Sequence, residues 1–118
     1  MKKLLLLSAL FFVFTVTLSA QQVLTGTFRF DKKMADYTLD KESGDRNVSL
    51  EITFAKPFET KPEVLVSVNY LDADKERNLR YEIKTLSVSR DGFSVQVKTW
   101  GDSRIYAIGG GWIAVSGK

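Results

Sequence analysis

Val48-Ser49-Leu50-Glu51-Ile52-Thr53-Phe54 places an apolar side chain at every second position and a polar one between. Period two puts the apolar set on one face of an extended chain and the polar set on the other, so the segment reads as a strand with one face against a core. The same reading extends along the chain in both directions. After a polar turn bracketed by Pro57 and Pro62, Val64, Val66 and Val68 alternate with Leu65, Ser67 and Asn69. Val64 and Leu65 are both apolar, so the start of this strand is expected to be covered on both faces. A charged loop from Asp72 to Arg77 follows. Leu79, Tyr81 and Ile83 then alternate with Arg80, Glu82 and Lys84, and the next apolar positions, Leu86 and Val88, slip by one. That slip predicts a bulge or bend near Thr85. Asp91-Gly92 is a turn signal. Beyond it Phe93, Val95 and Val97 alternate with Ser94, Gln96 and Lys98, and an apolar segment from Ile105 to Val115 is interrupted by Gly109, Gly110 and Gly111. Upstream, Val23 to Phe30 forms a further strand, and residues 31–47 are polar and irregular, with Tyr37 and Leu39 as inward pins. Six strands, short links and no helical window predict an all-β chain, a six-stranded antiparallel β-sandwich.

The 118 residues include no cysteine and no histidine. That excludes a Ser-His-Asp triad, a Cys-His pair, imidazole or thiolate zinc, and any disulfide staple. Lys2 and Lys3 precede an apolar run from Leu4 to Leu18, and Ser19 and Ala20 follow it. This is the layout of a signal peptide over residues 1–20, and the run is short for a membrane span, which needs about 20 apolar residues. Cleavage after Ala20 leaves residues 21–118 as the domain, with fifteen basic and fourteen acidic side chains in place of seventeen and fourteen. Near-neutrality argues against nucleic-acid partners and anionic membrane surfaces, and no membrane span remains after cleavage. The expected location is secreted, periplasmic or at the cell surface, of bacterial type.

Some residues fit a purely structural reading less well. Trp100 shares parity with Ser94, Gln96 and Lys98, the polar side of its strand. Either it is an exposed aromatic platform for a ligand beside the turn Gly101-Asp102-Ser103, or the strand twists at Thr99 and Trp100 caps the core. Arg80 lies on the polar side of its strand, as a solvated charge or as a ligand group. Tyr106 lies across the turn from Trp100, as a ligand group or as one half of a cross-strand aromatic pair. Asp72, Asp74 and Glu76 are oxygen donors, but no glycine follows to make the sharp turn of a calcium loop, so no metal site and no cofactor is expected. Asn47-Val48-Ser49 is a formal glycosylation sequon. Asp45, Asp72, Glu82 and Asp102 are carboxylates by type, yet none sits in an apolar context that would raise its pKa, and the chain is not expected to be an enzyme.

From Asn47 onward the chain resembles the H-type lectin domain, the family of the snail agglutinin and of the C-terminal domain of the discoidins. The resemblance is carried, in order, by the segments 51–58 (Glu51 to Phe58), Pro62 with 64–67, 77–81 (Arg77 to Tyr81), 86–89, Gly92-Phe93, Thr99-Trp100, Tyr106 and 112–114. It implies a sandwich that assembles as a homotrimer and binds glycans of the galactose and N-acetylgalactosamine type. It also implies a site in which the arginine of the Asn78-Leu79-Arg80 motif acts with a tryptophan and a tyrosine from a neighbouring subunit, here Trp100 and Tyr106. An acidic residue before the second strand completes that site, and Asp45 is its best match. The family's histidine after the tryptophan is replaced by Gly101, which removes a hydrogen-bonding group from the rim. Two functions follow as expectations: a secreted lectin, or a structural or adhesive trimeric subunit that keeps the fold without binding sugar.

Overall fold

The computed structural model describes residues 21–117; the expected signal peptide lies outside them. The described chain contains six strands: β1 (Gln22–Asp31), β2 (Arg46–Thr53), β3 (Glu63–Ala73), β4 (Glu82–Leu86), β5 (Gly92–Thr99) and β6 (Ile105–Ser116). They form two three-stranded antiparallel sheets, ordered β1-β6-β3 and β2-β5-β4. The all-β antiparallel sandwich is therefore the observed architecture.

The sheets face each other through the apolar halves of their alternating patterns. Val48 on β2 and Phe93, Val95 and Val97 on β5 are buried from one side, and Phe28 and Phe30 on β1 with Ile108 on β6 from the other. At one end the rings of Phe54 and Phe58 meet edge to face at 4.9 Å, and Trp112 meets Phe93 at 5.3 Å. Offset and edge-on contacts of this kind add to the burial of large aromatic surfaces. At the other end the irregular segment between β1 and β2 is closed by its pins. Leu39 is fully buried and its carbonyl accepts from the Ile105 amide at 2.9 Å. The Tyr37 hydroxyl donates to the Ile105 carbonyl at 2.6 Å, and burial pushes this phenol above its ordinary pKa.

Two local expectations are corrected, and a third is decided between its alternatives in favour of a bend. Leu65 is 71% exposed, so nothing among the described residues covers the outer face of β3 at its start. The parity slip after Ile83 is not a bulge in the strand: β4 pairs with β5 without a shift, ends at Leu86, and the chain turns at Ser87 with φ of +55°. Val88 then points back toward the core. The glycines do not interrupt β6, which runs continuously through them. A Cβ on Gly110 would lie 1.7 Å from the Ser67 carbonyl oxygen, so the neighbouring backbone of β3 excludes any side chain there. This close approach lies beside the register shift between Val68 and Tyr70 on β3, where the paired strand is irregular.

Candidate functional site

β2 begins, β4 begins and β5 ends at the same edge of the β2-β5-β4 sheet, because β5 runs antiparallel to both neighbours. The segments 40–45, 74–81 and 100–104 therefore gather at one end of the sandwich. Thr99 closes β5 with its side chain fully buried, and its hydroxyl donates to the Arg80 carbonyl. The next residue must point the other way, and Trp100 is 37% exposed. It lines an open recess of about 290 Å³ with Asp45, Glu82 and Lys98. Glu82 and Lys98 are direct cross-strand partners, so this floor is the outer, polar face of the sheet.

Arg80 is sewn to the same turn from its other side. Its amide donates to Ser103 Oγ at 2.8 Å, and that hydroxyl donates to the Asn78 carbonyl at 2.6 Å. Its guanidinium Nη1 donates to Asp102 Oδ1 at 2.7 Å, and the Asn78 side-chain amide lies 3.3 Å from both oxygens of that carboxylate. The guanidinium contact, more than any other, holds the Asp102 carboxyl below its usual pKa. Both partners remain about two-fifths exposed, so the pair sits at the rim rather than in the interior. Gly101 makes the turn possible: its φ is +67°, and a Cβ there would come within 3.3 Å of Arg80 Nη1.

Beneath this rim lies Arg46, 7% exposed. Its Nε donates to the Gly44 carbonyl at 2.8 Å, and Nη2 to Gly101 at 2.8 Å. Nη1 donates to Ser103 at 2.7 Å and also to Lys41. One guanidinium thus ties the segment that carries Asp45 to the turn that carries Trp100, and burial lowers its pKa from the ordinary arginine value. The sequence reading missed this residue, although its parity with Val48, Leu50 and Ile52 marks it as inward-facing. Asp102 was noted only as a turn residue and a carboxylate; its pairing with Arg80 depends on the path of the 99–103 turn, which alternation does not encode.

Of the five expected site residues, the fold brings Asp45 and Trp100 to one recess and sets Gly101 against Arg80. Tyr106 lies elsewhere, on the other sheet. Its hydroxyl is 3.3 Å from Asp74 Oδ2, and the Lys32 ammonium stands 4.7 Å from its ring centre. Asp74 also accepts from the Glu76 amide and faces Arg104 at 3.9 Å. Among the described residues no group of three or more acidic side chains is arranged to hold a metal ion. No helix among the described residues is long and apolar enough to cross a membrane.

Comparison with known proteins places this geometry among relatives. Two structures of discoidin II from Dictyostelium discoideum superpose with a TM-score of 0.72 at 24% identity, over 83% of this chain but only 37–38% of theirs. They share its fold. A curated relative, the product of the ATP synthase subunits region ORF 7 of Fuscovulum blasticum, is 36% identical over 73 residues. The match covers 62% of this chain and 64% of that protein, so it spans less than two thirds of the relative's length. The family profile of the H-type lectin domain matches residues 49–115, from the middle of β2 to the last turn of alternation in β6. That stretch is more than half of the chain, and the protein belongs to the H-type lectin domain family.

Proposed function

We propose that the protein is an exported carbohydrate-binding lectin that takes galactose-type sugars, notably N-acetylgalactosamine, at the rim built by Asp45, Arg80, Gly101 and Trp100. The observation that carries this reading is the exposed Trp100 indole beside the Asp45 recess, with the Arg80 fork anchored next to it. A sugar has an apolar C–H face and a ring of hydroxyls. The indole takes the face, while Asp45 accepts and Arg80 donates hydrogen bonds to hydroxyls. With no deep cleft, a dissociation constant of about 0.1–1 mM is expected, or roughly −4 to −5.5 kcal/mol.

A trimer completes the reading in two ways. Tyr106 is on the other sheet and does not line the recess within one chain, so a neighbouring copy is its route into the site. The outer face of the β1-β6-β3 sheet also carries an apolar row, since Thr25, Ile113 and Leu65 are cross-strand neighbours and Leu65, Ile113 and nearby Val23 are exposed. Burying such a row is the ordinary driving force for association. Three linked sites would raise avidity on a glycan-coated surface by about 10²–10⁴.

The test is calorimetric titration with N-acetylgalactosamine beside sedimentation and melting of wild type, Trp100→Ala and Arg80→Ala. Folded trimeric variants that no longer bind support the site. Folded variants that bind unchanged reject it, and a stable wild-type monomer at micromolar concentration rejects the shared site. A second reading, a trimeric structural or adhesive subunit without sugar binding, is favoured by the Arg80–Asp102 ion pair, which occupies part of the arginine fork. Wild-type protein that trimerises and shows no sugar binding establishes it.

A further inference from the structure

We propose that Asp102 is the specificity-determining residue of the rim, keeping Arg80 from capturing anionic sugars so that the site accepts neutral ones. This rests on the sugar-binding reading above and adds to it a ligand class that the site rejects.

A surface guanidinium beside an exposed indole is by itself a carboxylate-binding device. Arg presents a planar fork that matches a carboxylate in charge and geometry, and charge-assisted bonds of this kind outweigh bonds to neutral hydroxyls. A free Arg80 would therefore favour a uronic acid over the corresponding neutral sugar. The structure fills that role internally. Asp102 Oδ1 stands 2.7 Å from Arg80 Nη1, and among the described residues it is the side chain that pairs with this guanidinium. Asn78 holds the carboxylate through its side-chain amide, and the left-handed turn at Gly101 delivers Asp102 to that position. The neighbouring recess strengthens the effect: Asp45 and Glu82 line it against the one ammonium of Lys98. An incoming carboxylate meets a neutralised arginine and an excess of acid. A hydroxyl meets a guanidinium anchored from one side and two-fifths exposed, with donors that Asp102 does not use. Selectivity of this type comes from a built-in repulsive element as much as from attraction.

The experiment measures the ratio of affinities for methyl glycosides of N-acetylgalactosamine and of galacturonic acid, near neutral pH and at low ionic strength. Wild type is expected to prefer the neutral sugar by about tenfold or more, and Asp102→Asn to shift that ratio toward galacturonate by about tenfold, a gain that falls as salt screens it. Arg80→Ala combined with Asp102→Asn should show no galacturonate binding, since the gain depends on the guanidinium. Glu51→Gln removes the same unit of charge from the same sheet face, away from the recess, and should move the ratio less than about threefold. A wild type that binds both sugars equally overturns the proposal, as does an Asp102→Asn protein with an unchanged ratio. An equal response to Glu51→Gln also overturns it, because bulk charge would then explain the effect. Asp102→Ser guards against a local misfold. If both Asp102 variants melt far below wild type, Asp102 is a structural member and the proposal fails. Wild type and variants that bind neither sugar sink the lectin reading itself, a result distinct from all of these.

Discussion

Arg46 and Arg80 stand at the same end of the sandwich and touch the same turn, residues 99–104, yet their environments differ in almost every respect. Arg46 is buried, and its partners are four backbone carbonyls drawn from two segments. Arg80 is two-fifths exposed, and its guanidinium is held by one carboxylate. A buried guanidinium that spends four of its five donors on carbonyls of its own chain has little left for a ligand and fixes loop geometry instead. One held from a single side keeps free donors and faces solvent. The same residue type therefore frames a turn in one place and keeps donors toward solvent in the other, and burial with partner identity decides which.

The comparison is broken most easily at Arg46. Arg46→Ala leaves the Gly44, Gly101 and Ser103 carbonyls without their donor, and unsatisfied buried acceptors cost about 1–3 kcal/mol each when water cannot replace the bond. Some of these groups lie near the surface, so a total loss of about 3 kcal/mol is expected, a fall in melting temperature of roughly 12–24 °C for a domain of this size. Sugar binding should fail with it, because Asp45 and Trp100 lose their common tether. A thermal melt within a few degrees of wild type would show that the carbonyls are satisfied by solvent and that Arg46 is no frame.

Gly101→Ala tests the turn between the two arginines. Its φ of +67° disfavours any Cβ, and the added methyl would crowd Arg80 Nη1 at 3.3 Å. A destabilisation of about 1–2 kcal/mol is expected from the backbone alone. Denaturant titration reads it, and the same variant should weaken sugar binding by displacing the guanidinium. An alanine there that costs nothing would mean the turn has an alternative path.

The strand pattern was legible because period-two alternation is a local signal, and Val48 to Phe54 or Phe93 to Val97 carry it without interruption. The fully buried Leu39 and the buried Tyr37 were also readable, as isolated apolar residues in a polar segment. Leu65 misled the reading because an apolar residue on an outer face looks the same in sequence whether the chain or a second molecule covers it. The glycine run misled it for another reason: the close approach of β3 to Gly110 is a tertiary fact, and glycine in a strand signals an interruption and a tight contact equally well. At the site, the exposed position of Trp100 followed from parity. Arg46 was legible and overlooked, since it continues the inward parity of β2. Asp102 was not, because its contact with Arg80 joins residues 22 positions apart across a turn.

Arg80→Ala sharpens the comparison from the other side. A surface ion pair contributes little, at most about 1 kcal/mol, so the melting temperature should fall by no more than a few degrees. Binding of N-acetylgalactosamine should nevertheless be lost to calorimetry. Equal losses of stability in Arg46→Ala and Arg80→Ala would erase the distinction between frame and ligand group.

The smallest expected effect is a pH dependence, and its sign is fixed. The Arg80 contact lowers the carboxyl pKa of Asp102 in the folded protein. A depressed carboxyl contributes stability above its unfolded value, near about 4, and loses that contribution as the pH falls through the folded value. Asp31 and Asp74 are lowered as well, so the acid melt of the wild type alone reports several groups together. The difference between wild type and Asp102→Asn isolates one. Above about pH 5 the wild type should melt slightly higher, and the gap should close as the pH drops below about 4, where the protonated acid and the amide become equivalent. In an Arg80→Ala background the gap should shrink, because the largest of the contacts that lower the carboxyl is gone while those from Asn78 remain. A gap that persists into strong acid, or survives the loss of Arg80 undiminished, would mean that Asp102 acts through the hydrogen bonds it accepts from Asn78 rather than through the ion pair. The rim would then resemble the neutral, carbonyl-held frame around Arg46.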